Sequence, residues 1–76
     1  MIKLNEMSKD LEGTVVSVSG DQRFVSRITS IGLTPGCNLT MVKNEKHQPV
    51  LIYSRDTMIA LNRKDCENIM MEVANG

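Results

Sequence analysis

The chain has 76 residues, enough for one domain and not two. Lys+Arg and Asp+Glu both number 9, so the formal net charge is zero. That balance argues against nucleic acid as the main partner, because such binders need a basic face. With one Phe, one Tyr and no Trp, the chain also lacks the rings of a single-strand stacking platform, and its core must be aliphatic, with six Met as adaptable filler.

In chain order, Met7 to Leu11 is apolar-spaced and predicts one helical turn, ending at Glu12-Gly13. Thr14-Val15-Val16-Ser17-Val18-Ser19 is rich in β-branched residues and predicts a strand. Gly20 breaks it and Asp21 suits an N-cap. From Gln22 to Ile31 the apolar residues fall at 24, 25, 28 and 31, the spacing of one helical face. Phe24 and Ile28 are expected to point inward.

The helix should stop at Gly32, which meets no Cβ penalty in the left-handed conformation. Leu33 follows, where an apolar side chain commonly folds back on the last turn, here against Ile28. Pro35-Gly36 fits the central positions of a type II turn, since proline fixes φ near −65° and glycine accepts φ > 0.

Asn38 to Lys43 alternates, with Leu39 and Met41 on one side. A polar loop, Asn44 to Pro49, leads to the β-rich run Val50-Leu51-Ile52-Tyr53. Ser54-Arg55-Asp56 turns the chain and Thr57 to Leu61 returns it, as in an antiparallel meander. Asn62 suits an N-cap for a short helix over Arg63 to Ile69, with Asp65 favoured in its first turn. Met71-Glu72-Val73 could close the sheet, and Ala74-Asn75-Gly76 is expected to fray. Five short strands in so small a chain predict a mainly β fold, with one or two helices. The sheet is expected to curl into a small barrel, which would remove exposed edges.

Candidate chemistry is sparse. One histidine, His47, sits in the polar loop, and Ser and Cys lack the contexts of nucleophiles, so an enzyme is not expected. There is no Cys-x-x-Cys and no paired histidine; Cys37, His47 and Cys66 could meet only through the fold. Cys66 reads as a small buried apolar residue and His47 as a solvated one. No segment approaches the roughly 18–20 apolar residues that span a bilayer. Met1 to Glu6 lacks the apolar region of a signal peptide. The chain is therefore expected in the cytoplasm, with both cysteines reduced. Arg23, Arg27, Arg55, Arg63 and Lys64 could form a local basic patch, though a solvated mixed surface is the simpler reading.

Four pieces together resemble the FeoA family. They are the strand after Gly13, the segment Ser30-Ile31-Gly32-Leu33-Thr34-Pro35-Gly36, Pro49-Val50 opening a strand, and Ile59 to Ile69 followed by Val73. The resemblance covers about Leu4 to Val73, one domain. It implies an SH3-like β-barrel with added helices. The aromatic groove of a proline-peptide binder is excluded, because the chain has only two aromatic residues. The resemblance also implies a small cytosolic accessory of ferrous iron uptake, acting beside FeoB, a membrane permease with a cytosolic GTPase domain.

Within that frame the leading expectation is a non-enzymatic module that docks on FeoB and modulates Fe²⁺ transport. Leu33, Thr34 and Pro35, fixed at a helix–strand corner, are the candidate contact residues. A runner-up is a regulatory domain that weakly binds a divalent transition metal such as Fe²⁺. A third is a module that self-associates through a strand edge.

Overall fold

The computed structural model describes residues 1–73; the expected fraying of Ala74-Asn75-Gly76 lies outside them. Six strands and two short helices follow one another: β1 (Ile2–Lys3), β2 (Glu12–Val18), α1 (Gln22–Ser30), β3 (Asn38–Lys43), β4 (Val50–Ser54), β5 (Thr57–Leu61), α2 (Arg63–Cys66) and β6 (Ile69–Val73). All strand pairs are antiparallel, and the sheet order is β1-β6-β2-β3-β4-β5.

The expected barrel is therefore corrected to an open, curved sheet with two edges. Register shifts at Val15/Ser17 and Met41/Lys43 bend it. Closure would need β5 to find a full partner at the far edge. That edge is β1, only two residues long, and the chain turns away at once into a 3₁₀ turn over Leu4–Glu6. The Lys3 amide already donates to Glu6 Oε1 at 2.7 Å, so the edge is spent locally.

The concave face holds one aliphatic core. Leu39 and Met41 of β3, Val50 and Ile52 of β4, and Ile69 and Met71 of β6 are all buried there. Their alternation along each strand is what places them on one face. Ile28 of α1 and Leu4 of the 3₁₀ turn cover the core from outside the sheet.

Several local readings shift. The helical turn expected at Met7 to Leu11 sits at Leu4–Glu6 instead. Residues 8 to 11 run beside β3, with Asp10 N donating to Met41 O and Met41 N to Leu11 O, both at 2.8 Å. The Asn44 side-chain amide holds this segment down by donating to the carbonyls of Asn5 and Met7. Gly13 lies inside β2 rather than before it. A Cβ there would come within 3.1 Å of the Glu72 carbonyl, so the close approach of β6 is what needs glycine. The second helix ends at Cys66, because Ile69 is claimed by pairing with Val18. Asn62 occupies its N-cap with no side-chain bond; its carbonyl accepts from Asp65 N and Cys66 N.

In α1 the Asp21 carboxylate accepts from Phe24 N at 2.8 Å, as the capping pattern requires. Ile28 is buried, but Phe24 is only half-buried and Ile31 is 40% exposed, so the apolar stripe is only partly absorbed. A carboxylate at position 28 would strand a charge in this core, at a cost exceeding the few kcal/mol that hold so small a domain. Ile28→Asp is expected to show no cooperative thermal transition by circular dichroism; a melt near that of the parent would refute the placement.

Candidate functional site: the helix–strand corner

Residues 28 to 38 form the most tightly specified local structure in the chain. Gly32 has φ +97°, and Gly32 N donates to Thr29 O at 2.9 Å while Leu33 N donates to Ile28 O at 3.2 Å. These are the two bonds of a Schellman stop, and they satisfy carbonyls that the helix end would leave bare. Leu33 then enters the core at 0% exposure beside Ile28. At the following turn Cys37 N donates to Thr34 O at 2.9 Å, with Gly36 at φ +94°. Pro35 and Gly36 therefore take the type II positions expected of them.

The corner is also tied sideways. Gly36 N donates to Val15 O, and Val15 N donates to Cys37 O, both at 2.8 Å, so the turn is pinned to β2. Thr14 Oγ1 donates to Asn38 Oδ1 at 2.7 Å. Ser54 Oγ donates to Asn38 O at 2.9 Å and lies 3.3 Å from Cys37 Sγ, which anchors the strand start to β4.

Of the three candidate contact residues, Leu33 is buried, Thr34 half-buried and Pro35 exposed. Leu33 serves the helix stop and offers no surface. Of this corner, Thr34, Pro35 and Gly36 are the residues that reach the surface.

A second surface feature was not foreseen from the sequence. A cleft of about 290 Å³ lies between α1, the β5 edge and the start of α2, with Ile31, Pro49, Ala60 and Leu61 in its wall. Arg27 and Asp65 bridge beside it at 2.7 Å. The partly exposed pair contributes little stability but links α1 to α2. The Arg27 guanidinium also lies 5.5 Å from the Phe24 ring centre. Arg63 donates to Glu45 O, so two of the five residues of the supposed basic patch serve internal contacts.

The FeoA domain model matches residues 2–73. The chain belongs to the FeoA family. Solved structures share the fold. A FeoA iron uptake regulatory protein is 23% identical with a TM-score of 0.91, over 96% of this chain and 97% of that one. FeoA of Chlorobium tepidum is 21% identical with a TM-score of 0.87, over 99% of this chain and 72% of that one. A zinc-complexed FeoA of Stenotrophomonas maltophilia, described as an SH3 domain protein, is 19% identical with a TM-score of 0.81, over 95% and 91%. No curated protein sequence matches the chain.

Among the described residues, the side chains do not assemble a site that fits a bound transition metal. Among the described residues no three His, Cys, Asp or Glu side chains gather within ligating reach. Cys37 and Cys66 are buried free thiols, and His47 lies exposed on its loop. Burial pushes the Cys66 thiol up to about 12, so at neutral pH it keeps its proton. Also among the described residues, no helix is long and apolar enough to cross a membrane.

Two outcomes test this geometry. Gly32→Ala is expected to cost roughly 1 kcal/mol or more by denaturant unfolding. The nearest atom to the new Cβ is Arg55 Nη1 at 3.9 Å, so any loss reflects backbone strain at φ +97° and not a clash. A neutral result would contradict the left-handed stop. Cys66 is the second. Its folded value lies above the 9.0 of a free thiol, so the folded state keeps a proton that the unfolded state releases. Its contribution is complete below pH 9 and is lost as pH rises toward 12, on the order of a few kcal/mol in all. Unfolding of the parent and of Cys66→Ala across that window should show the steeper decline in the parent; parallel curves would place Cys66 in water.

Proposed function

We propose that this FeoA protein is a non-enzymatic accessory of ferrous iron uptake, docking on the cytosolic GTPase domain of the FeoB permease and modulating Fe²⁺ transport. The observation that carries the reading is the family match over residues 2–73, which spans the entire described fold apart from Met1. On this reading the chain works in the cytoplasm, and Fe²⁺ is the permease's cargo. The rival reading, a regulatory domain that senses a divalent metal, finds no ligand set among the described residues to rest on.

The docking element is the Thr34–Pro35–Gly36 tip. Its backbone is held by the type II turn and by two bonds to β2, so little freedom is lost when a partner closes on it. Leu33 supports the tip from the core side. A bound accessory can bias the permease only by preferring one of its states, so docking must discriminate between states of the permease.

Pro35→Glu puts a charge on the exposed tip while leaving the glycine of the turn in place. By calorimetric titration against the FeoB cytosolic domain, the folded variant is expected to bind at least about tenfold more weakly, the equivalent of about 1.4 kcal/mol. Unchanged affinity would remove the tip from the interface.

A further inference from the structure

The two edges of the sheet are treated very differently. The β1 edge is two residues long and turns into a 3₁₀ turn. The β5 edge is five residues, Thr57-Met58-Ile59-Ala60-Leu61, with no charge, proline or glycine. Its pairing with β4 runs through all five positions without a shift. Within the strand no charge, proline or bulge blunts it, and α1 stands off from its Ala60–Leu61 end across the cleft of about 290 Å³.

The hairpin turn decides which backbone groups this edge offers. Arg55 and Asp56 both have positive φ, 52° and 62°, so they form a two-residue type I′ turn. Such a turn makes Ser54 and Thr57 a hydrogen-bonded pair, and the pairs alternate from there. Thr57, Ile59 and Leu61 therefore direct their N–H and C=O groups to β4. Met58 and Ala60 direct theirs outward, which leaves four backbone groups at the edge.

We propose that this edge pairs with β5 of a second copy of the chain, antiparallel and two-fold symmetric about Ile59. In that register Met58 of each copy faces Ala60 of the other as a hydrogen-bonded pair. Four bonds form, and all four outward groups of each copy are satisfied. Centring the two-fold on Met58 or on Ala60 would bring a turn residue or Asn62 opposite a free group and leave part of the set unmet.

The side chains suit the same register. On the outer face, long Met58 (55% exposed) meets short Ala60, with exposed Tyr53 beside Met58 on β4. On the core side, half-buried Ile59 meets its own copy at the close, non-hydrogen-bonded spacing. The like charges brought toward each other, Arg55 and Arg63, fall outside the ladder, and Arg63 already donates to Glu45 O at 2.8 Å. A single five-residue strand pair buries less than a standard stable interface, so the dimer is weak and forms on concentration. It uses a surface other than the Pro35 tip and does not depend on the proposed docking to FeoB.

Sedimentation equilibrium of the full chain over about a hundredfold range of concentration tests the pairing. The weight-average mass should rise from 8.5 kDa toward twice that value. Ala60→Pro removes an outward N–H and is tolerated at an edge, so the monomer should fold while association weakens at least about tenfold. Met58→Lys, on the outer face, should act alike and covers the case in which the proline variant fails to fold. In the unaltered chain, hydrogen exchange of the Met58 and Ala60 amides should slow as concentration rises. A mass fixed at 8.5 kDa at every concentration would overturn the proposal, as would association that Met58→Lys leaves intact or exchange at these two amides that ignores concentration.

Discussion

The fold depends on how the chain leaves α1. Two backbone bonds, Gly32 N to Thr29 O and Leu33 N to Ile28 O, reverse its direction within a single turn. That reversal brings Ile28 and Leu33 into the core together. It also delivers Thr34 to the type II turn that starts β3. Without the left-handed residue at 32, the helix would run on, and neither the cover over the sheet nor the start of β3 would be in register. One glycine conformation thus couples helix length, core closure and strand register.

The sheet built on this corner is curved but unclosed. Bulges in β2 and β3 wrap it around a core small enough for α1 and the 3₁₀ turn to cover. Curvature alone does not unite the edges. Closure also needs two edges of matched length, and Ile2–Lys3 cannot match Thr57–Leu61. The asymmetry leaves one edge short and locally bonded, and the other long and free. It also leaves the cleft beside β5, where α1 stands off from the strand.

Much of this was legible in the sequence, where local chemistry decides. Asp21 as cap, Gly32 as stop, Pro35-Gly36 as turn and the alternation of Leu39 and Met41 each follow from a few adjacent residues. What was not legible depends on partners far along the chain. Ile2–Lys3 becomes a strand only because Met71 and Met70 lie beside it. Ile69 leaves a helical pattern because Val18 pairs with it. Gly13 resembles a break, yet its lack of a Cβ makes room for β6. At the candidate site the sequence fits a corner with three apolar or small residues facing out. It does not distinguish a leucine that staples a helix from one that greets a partner, since both sit one residue beyond the glycine. Here the stapling residue is Leu33 and the exposed one is Pro35.

As a FeoA protein, the chain combines a turn-fixed tip, a largely aliphatic core and, among the described residues, no cluster of metal ligands. These properties suit a module that acts by contact. Central to the account is that the tip over residues 34–36 is where a partner meets it. The most direct measurement is amide chemical-shift mapping of the labelled chain during titration with the FeoB cytosolic domain. The account predicts the largest changes at Thr34, Gly36 and Cys37, fading along β3 and into the Gly32 stop. Saturable binding with those amides unmoved, and the changes gathered along β1 and β6, would contradict it.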